Sequence, residues 1–575
     1  MKPNGDDYLT IPYSDPERCD PELLYLREDR LRERELRLRL TAPAADVVYL
    51  HLYNATARTL QLQVFGIGED GEGRPLVPET ETAAVAYRQP IKVGRGRFRE
   101  LEVHLRVERE DGASEGAHIA LAAYAGEEPA SKGNLSQGIY DPCAGKKKSS
   151  APNQRVQLPF DCRARATQRL ILSSCDAETD LQEWVALTGL TVSEAYYGSK
   201  GSVVALGVPP GMSLNTAGGS VAEIRAKANA PGGSVTEDYL VNLFNPRQPA
   251  DGDGAQPRLR TPPGISDCEA RADYDQNLEP VVVAIIDSGV DDSAANRDRW
   301  EASRYRQRAE SEFIRPWQLG YDFMDKDAAP EDVAKHGTSV AATLLSQYRG
   351  KRPLNLVHLK TFGAGGISTY FGALVSIYEA ATIGADIINM SWGIYGEQPP
   401  PGLECAIRTA IGCGVRIVTS AGNDGKDLGC DPQWPAAFAA DPRYAEQMIS
   451  VASFGPDRPG VPGDLNDVHL SSYSNYGDRA VSLAAFMTAG VPEHGTGQTI
   501  YPLGTSISAP LVAGKLADWL ADHPRGTVTE FCNTFCQQSP HLKGRTVDAR
   551  YLPVGGGRVR PELSKARVYK VNRVS

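Results

Sequence analysis

Residues 281–290 read VVVAIIDSGV, six apolar residues in a row that are followed by an aspartate and a Ser-Gly turn. An apolar run of this length, bounded by turn residues, is typical of a strand that is buried on both faces of a sheet. Similar runs follow at residues 354–359, 387–390, 415–418 and 448–452, and they alternate with helix-like stretches. The alternation predicts an α/β domain, a doubly wound parallel sheet with helices on both faces and functional residues at the carboxyl ends of its strands.

The whole chain has 575 residues, enough for several domains. Hydrophobic residues make up 41% and charged residues 23% of it, which is a globular composition and excludes a disordered or collagen-like protein. The net charge is −11, from 61 basic and 72 acidic residues, so we expect no general affinity for nucleic acid or for an anionic membrane. The N-terminal residues do not resemble a secretory signal, and no apolar run could span a bilayer. We therefore expect a cytoplasmic protein, or a secreted one if a signal peptide was removed.

Ten cysteines are spread over the whole chain, unlike the dense framework of a small disulfide-rich domain. Cys532 and Cys536 are close in sequence but lack the companion ligands of a zinc site. We interpret the cysteines as buried thiols. Pairing of some of them, in a secreted protein, is the alternative.

Apolar residues recur at every second position between Arg32 and Ala125, which is the period of a strand. Three such runs are Leu36, Leu38 and Leu40; Leu60, Leu62 and Val64; and Leu101, Val103, Leu105 and Val107. They predict an immunoglobulin-like β-sandwich over residues 1–125, without a catalytic constellation, that could dock a regulatory protein. Residues 126–163, rich in Gly, Ser, Pro and Lys, are predicted to be a linker.

A second pattern, of strands mixed with helices, covers residues 164–245. The predicted elements are a strand at 169–172, a helix at 180–188, a strand at 202–208, a helix at 220–230 and a strand at 234–244. This order predicts a small α+β domain. A second linker at 246–266 then leads to the α/β domain at 267–575.

Four segments of the α/β domain carry residues that are suited to chemistry. Asp287 ends the first apolar strand, His336 opens a helix in KHGTS, Asn423 follows a strand in AGND, and Ser506 starts a helix in GTSISAP. Taken singly, these residues have ordinary explanations as a turn former, a helix start or an N-cap. Together their order and context resemble the subtilisin-like serine proteases, the subtilases.

The resemblance implies a role for each of the four residues. Ser506 resembles the nucleophile, and His336 resembles the base that activates it and later protonates the leaving amine. Asp287 resembles the carboxylate that orients His336 and stabilises its imidazolium form. Asn423 resembles the side-chain donor of the oxyanion hole, beside the backbone N–H of Ser506.

The same resemblance suggests two edges of a substrate cleft. Ser391, Trp392 and Gly393 are similar to the strand that lies beside the substrate backbone, although Trp392 could instead be a core residue. Gly365 and Gly366 look like the opposite edge, so that an extended peptide would pair on both sides.

Two features depart from the family pattern. Asp424 follows the oxyanion asparagine directly, where an acid could favour Lys or Arg in the substrate or could simply face solvent. The segment from His336 to Lys360 is short and lacks the loop that holds a structural calcium in many secreted relatives. We therefore expect no metal there, and no cofactor.

Residues 164–245 resemble subtilase propeptides, small α+β domains that assist folding and inhibit the enzyme by placing their C-terminal tail in its cleft. The resemblance implies a zymogen that is inhibited by its own propeptide-like domain and processed in the linker that holds Arg258 and Arg260.

The function predicted from the sequence is a serine endopeptidase that cuts protein or peptide substrates through an acyl-enzyme. The alternative is a catalytically silent subtilase-like protein with a binding or regulatory role. An α/β-hydrolase esterase is disfavoured because residues 504–508 read GTSIS, which is not G-x-S-x-G.

Overall fold

The architecture was read from a computed structural model of the chain. It describes residues 9–10, 22–26, 36–41, 47–54, 60–82, 86–94, 98, 100–107, 119–125, 165–175, 181–207, 233–243, 275, 277–363, 366–455, 468–543, 545 and 550–553. The linkers predicted at 126–163 and 246–266 lie outside these residues.

Two sheets form the N-terminal unit. Its strands are β1 Leu9–Thr10, β2 Glu22–Leu26, β3 Leu36–Thr41, β4 Val47–Asn54, β5 Leu60–Ile67, β6 Gly73–Thr82, β7 Ala86–Gly94, β8 Glu100–Val107 and β9 Ile119–Ala125. One sheet has the order β1-β3-β8-β5-β6, and β2-β9-β4-β7 belong to the other. Apolar residues of both sheets form one buried cluster. Along β5, buried and half-buried residues alternate, as the sequence period predicts. The immunoglobulin-like assignment stays a prediction.

A smaller unit with one described helix follows, and its first strand pairs parallel with β2 of the N-terminal unit. Its elements are β10 Arg165–Ser174, α1 Leu181–Thr188, β11 Thr191–Gly198, β12 Gly201–Gly207 and β13 Gly233–Leu243. The strands pair antiparallel in the order β11-β12-β10-β13. Leu181 and Trp184 of α1 pack on one face of the sheet. The strand β11 was not predicted, and the helix predicted at 220–230 lies outside the described residues.

The third unit alternates strands and helices. Its elements are β14 Val281–Asp287, α2 Arg297–Trp300, β15 Gly320–Asp322, α3 Gly337–Gln347, β16 Leu354–Lys360, β17 Ile367–Thr369, α4 Tyr370–Thr382, β18 Ile387–Met390, β19 Trp392–Tyr395, α5 Leu403–Gly412, β20 Arg416–Ser420, β21 Gln433–Trp434, β22 Met448–Phe454, β23 Leu483–Phe486, β24 Val491–Pro492, β25 Thr499–Ile500, α6 Thr505–Leu520, α7 Val528–Phe535, β26 Gln537–Gln538 and β27 Arg550–Tyr551. Short 3-10 helices cover Glu301–Ser303, Ala436–Ala440 and Pro540–Leu542.

The central sheet has the order β15-β16-β14-β18-β20-β22-β23-β27-β26. All neighbours are parallel except β26 and β27. One large hydrophobic cluster joins the sheet to α3 and α6, and another joins it to α4 and α5. The five apolar runs lie in β14, β16, β18, β20 and β22, because strands that are covered on both faces can accept apolar residues at every position. The predicted parallel sheet is therefore confirmed.

The smaller unit packs against α4 and α5. Ile171 and Val203 of that unit belong to the same buried cluster as the apolar residues of these two helices. Among the described residues, no helix is both long and apolar enough to cross a membrane.

Candidate active site

A buried aspartate–histidine pair lies at the carboxyl edge of the central sheet. Asp287 is the last residue of β14, and His336 immediately precedes α3. Nδ1–H of His336 donates to Oδ1 of Asp287 at 2.7 Å. Both side chains are buried, with an exposed fraction of at most 1%. A carboxylate at Nδ1 keeps the proton on that nitrogen, so Nε2 is left to act as a base.

A second buried carboxylate, that of Asp332, is hydrogen-bonded to His336 and to the residue that follows Asp287. The hydroxyl of Ser288 donates to Oδ1 of Asp332 at 2.7 Å and lies 3.2 Å from Oδ1 of Asp287. Asp332 also accepts the backbone N–H of His336 at 3.3 Å and that of Thr338 at 2.8 Å. These bonds anchor the start of α3 and thus the backbone of His336. Sequence reasoning missed Asp332, for which the only signal was an acid four residues before the histidine.

Ser506 is the second residue of α6 and is completely buried. Backbone N–H groups and the helix dipole at such a position favour a developing negative charge. Within the described part of the chain, Oγ of Ser506 has no hydrogen-bond partner. The helices that follow His336 and contain Ser506 are in close contact, since a Cβ on Gly514 would lie 2.2 Å from the carbonyl oxygen of Leu344. A hydrogen bond between Ser506 and His336 stays a prediction.

Asn423 is tied to the residue that precedes the predicted nucleophile. Its Oδ1 accepts hydrogen bonds from the backbone N–H and from the hydroxyl of Thr505, both at 2.9 Å. The Thr505 hydroxyl in turn accepts the backbone N–H of Gly422 at 3.1 Å. Because Thr505 fixes Oδ1, the NH₂ group of Asn423 points away from Thr505. This orientation suits a donor to an oxyanion, and Thr505 was not found from the sequence.

Asn475 holds the loop that carries Asn423 and Asp424. Its Oδ1 accepts the backbone N–H groups of Asp424 at 3.1 Å and of Lys426 at 2.9 Å. Its Nδ2 donates to the carbonyl of Ala421 at 2.8 Å and to the Tyr395 hydroxyl at 2.7 Å. The completely buried Asn475 therefore fixes three backbone groups of one loop.

The carboxylate of Asp424 accepts a hydrogen bond from the hydroxyl of Tyr395 at 2.5 Å. Burial of that hydroxyl, together with the negative charge of Asp424, raises the pKa of Tyr395 well above its ordinary value. Tyr395 therefore stays a donor to Asp424. The preference for Lys or Arg that Asp424 could confer stays a prediction.

The Ser-Trp-Gly segment runs directly beside the predicted nucleophile. The hydroxyl of Ser391 donates to the carbonyl oxygen of Ser506 at 3.3 Å. The indole of Trp392 is completely buried and packs on Phe362, with ring centroids 6.1 Å apart. The side chain of Trp392 is thus a core residue, as the alternative interpretation held, while its backbone forms an edge.

Of the predicted opposite edge, Gly365 lies outside the described residues. Gly366 directly precedes β17 and has a φ of +68°, in the left-handed region that favours glycine.

The space between the two edges is occupied by the chain itself. Strand β13 pairs antiparallel with β17, from Leu240 opposite Thr369 onward, and also antiparallel with β19. On the β19 side, Asn242 lies opposite Gly393 and Leu243 lies opposite Trp392. The last residues of the smaller unit thus form the strand between β17 and β19.

A buried polar contact adds to this docking of the smaller unit. The Tyr196 hydroxyl donates to Oε2 of Glu379, in α4, at 2.9 Å, and Ser311 bonds the other carboxylate oxygen. Burial raises the pKa of Glu379. Because the bond from Tyr196 forms only while the units are docked, the contact favours the docked arrangement.

No three side chains among the described His, Cys, Asp and Glu residues are grouped so that they could hold a metal ion. The expectation that no calcium binds between His336 and Lys360 stays a prediction.

The third unit is thus an α/β domain with a parallel sheet and an aspartate–histidine pair at the carboxyl edge. The sequence profile of the subtilase family matches residues 279–551. Thermitase from Thermoactinomyces vulgaris is 30% identical over 213 residues, which are 36% of this chain and 68% of thermitase. The chain belongs to the subtilase family, a family of serine peptidases.

Two further comparisons concern relatives of the same kind. A thermophilic serine proteinase of Bacillus sp. (strain AK1) is 28% identical over 253 residues, 43% of this chain and 53% of that protein. The chain therefore spans about half the length of that relative. Among solved structures, a cold adapted subtilisin-like serine proteinase is 25% identical, with coverage of 50% of this chain and 95% of that chain and a TM-score of 0.36.

Proposed function

We propose that this chain is a serine endopeptidase that hydrolyses peptide bonds through an acyl-enzyme. The observation that carries the proposal is the buried 2.7 Å bond between His336 and Asp287, next to a helix that begins with Thr505 and Ser506. In this mechanism His336 takes the proton of Ser506 as the hydroxyl attacks the substrate carbonyl. Asp287 stabilises the imidazolium that forms.

The oxyanion of the tetrahedral intermediate would be held by the side chain of Asn423 and the backbone N–H of Ser506. The bonds from Thr505 pre-orient Asn423, so that little reorganisation is needed when charge develops. His336 then gives its proton to the leaving amine, and a water molecule repeats the sequence on the acyl-enzyme.

The substrate would bind as an extended strand between β17 and β19. Two edges of this kind offer backbone N–H and C=O groups on both sides of a peptide, which gives affinity without strict dependence on sequence. Protein or peptide substrates are therefore the proposed class.

We further propose that the uncut chain is an autoinhibited zymogen. The support is the position of β13, which occupies the strand position between β17 and β19 and belongs to the smaller unit. A substrate strand cannot pair with the same edge groups while β13 is bound to them.

The strand register also suggests a processing site. Strand β13 ends with Leu243 opposite Trp392, next in sequence to Ser391, whose hydroxyl contacts the carbonyl of Ser506. The residues that follow Leu243 lie outside the described ones. The position of Leu243 favours a cut directly behind β13, between Phe244 and Asn245, over the linker site at Arg258 and Arg260 that the sequence suggested.

N-terminal sequencing of the processed protein tests both parts of the proposal. We expect Asn245 as the new N-terminus of the wild-type protein and no cut in Ser506→Ala. Phe244→Asp should abolish the cut at this site, because a charged residue would replace the aromatic one before the proposed cut bond. Arg258→Ala is the control and should be cut normally. A new N-terminus next to Arg258 or Arg260 would contradict the cut position that the register favours. Processing of Ser506→Ala would contradict autocatalysis.

The alternative function is a catalytically silent binding or regulatory protein. It is favoured by the occupied cleft and by the lack of a hydrogen-bond partner for Oγ of Ser506 among the described residues. It predicts that the chain hydrolyses no peptide even after the smaller unit has been cut off and removed.

A further inference from the structure

A disulfide bond joins the smaller unit to the third unit. In line with the proposed function, the smaller unit (β10 to β13) is called the inhibitory unit below, and the third unit (β14 to β27) is called the catalytic unit. It links Cys175, which directly follows β10, to Cys405 in the first turn of α5, 230 residues later. The Cα atoms are 5.9 Å apart, within the range that a disulfide spans. The sequence interpretation of the cysteines as unpaired buried thiols is therefore wrong for this pair. It is also wrong for Cys430, which is disulfide-bonded.

Because of this bond, a processing cut alone does not separate the two units. A cut after Phe244 puts Cys175 on one polypeptide and Cys405 on the other. The disulfide would then keep the inhibitory unit beside the cleft after the peptide bond is broken. A tether of this kind typically gives an effective concentration in the millimolar range, about 10⁻³ M, far above the concentration of a dilute enzyme.

The disulfide is also accessible and has a cation beside it. Both cysteines are partly exposed, and the guanidinium of Arg408 lies 3.3 Å from Sγ of Cys405 and 3.7 Å from Sγ of Cys175. Cys405 is the third residue of its ten-residue helix, where the helix dipole favours a negative charge. A thiolate that leaves at Cys405 is thus stabilised twice, which speeds thiol–disulfide exchange.

We propose that the Cys175–Cys405 bond is a site for thiol–disulfide exchange with a dithiol reductant, and that its reduction releases the inhibitory unit from the cut chain. This inference rests on the proposed protease function and adds a second activation step to it. The cut alone leaves the enzyme inhibited, and the reductant then frees the cleft.

The chemistry is a two-electron reduction. A thiolate of the reductant attacks Sγ of Cys175, the bond to Cys405 breaks, and Cys405 leaves as a thiolate. The second thiolate of the reductant attacks its own sulfur in the mixed disulfide and expels Cys175. The reductant ends as a disulfide, and the two protein thiolates take up protons from water.

The contacts that remain after reduction are noncovalent. They include the bond from Tyr196 to Glu379, the β13 pairing and the guanidinium of Arg169 placed 5.8 Å from the ring centroid of Phe371. Without a covalent tether, dissociation of the inhibitory unit depends on protein concentration. Dilution therefore distinguishes the tethered from the reduced state.

The tether is tested first without relying on activity. The full-length Ser506→Ala chain, with Cys430→Ser to remove the other disulfide, receives a recognition site for a specific protease in the 246–266 linker and is cut there. On a denaturing gel without reductant, we expect one species of full mass, and after dithiothreitol we expect two fragments. A Cys175→Ser variant should give two fragments without reductant, while Cys413→Ser, at an exposed unpaired cysteine, should behave like the parent. Two fragments from the parent without reductant, or one species from Cys175→Ser, would overturn the inference.

The release is tested with the same cut chain carrying Ser506. We expect hydrolysis of a fluorogenic peptide to rise at least about tenfold after dithiothreitol at nanomolar protein, and to rise on dilution only in the reduced sample. Equal hydrolysis before and after reduction overturns the inference. If that equal value is zero although the gel shows that the fragments are no longer joined and size-exclusion chromatography shows that they dissociate, the proposed protease function fails as well.

Discussion

The hydroxyl of Thr505 offers a quantitative test of how the oxyanion site is built. Thr505→Val keeps the shape of the side chain and removes one of the two bonds that hold Oδ1 of Asn423. It also leaves the N–H of Gly422 without the acceptor that it has in the wild-type protein. An unsatisfied buried N–H costs about 1–3 kcal/mol, so we expect a loss of stability of this size.

The effect on catalysis should be smaller than the loss of the oxyanion donor itself. One neutral hydrogen bond contributes about 1 kcal/mol, which corresponds to roughly a fivefold change in rate. The other bond, from the Thr505 backbone, remains. Thr505→Val should therefore lower kcat/KM roughly fivefold, whereas Asn423→Ala should lower it by about 10² to 10³, a loss measured for this donor in a subtilisin.

The assay is steady-state hydrolysis of a fluorogenic peptide with Phe before the cut bond, with the cut and reduced protein. Because Thr505 acts through Asn423, Thr505→Val should have no further effect on kcat/KM in an Asn423→Ala background, although it still lowers stability. Thr505→Ser retains the hydroxyl and is the matched control. An equal loss in both backgrounds, or wild-type kcat/KM in Thr505→Val, would refute the reasoning.

Three other predictions address the histidine pair, the sheet and the docking of the inhibitory unit. Asp287→Asn should reduce kcat by about 10⁴ with little change in KM, because an amide cannot hold the useful tautomer, and a loss of under tenfold would contradict this role. Burial lowers the pKa of His358 to about 3, so the unfolded chain takes up a proton below pH 6.5 that the folded chain does not accept. The free energy of unfolding in urea should consequently fall by about 2 kcal/mol between pH 7 and pH 5 from this residue, a slope that His358→Leu removes. Tyr196→Phe leaves Glu379 short of a donor and should weaken binding of the inhibitory unit about tenfold or more in titrations of the cut and reduced protein, while Tyr197→Phe, 48% exposed, should not.

The central sheet could be predicted because its strands are buried on both faces and read as continuous apolar runs. Strand β11 could not, because it is largely exposed and has no apolar period, with Val192 and Tyr197 nearly half exposed. The insertion of β13 between β17 and β19 depends on pairings between residues more than 120 positions apart. No local pattern specifies such contacts.

The residues of the site differ in the same way: some stand in recognisable sequence segments, and others are identified only by contacts between distant positions. Asp287, His336, Asn423 and Ser506 stand in recognisable segments, so the sequence could suggest them. Their supporting residues act across the fold: Ser288 bonds a carboxylate 44 residues away, and Thr505 bonds Asn423 across 82 residues. The partners of Cys175 and Cys430 could not be found either, since disulfide connectivity cannot be deduced from cysteine spacing.

The central claim is that Ser506 is a nucleophile activated by His336. The most direct test is mass-spectrometric mapping of the adduct that a fluorophosphonate leaves on the cut and reduced protein. The account predicts a single phosphonylated residue, Ser506, and no adduct in either Ser506→Ala or His336→Ala. An unmodified Ser506 in a protein that has lost its inhibitory unit, or equal modification in His336→Ala, would contradict it.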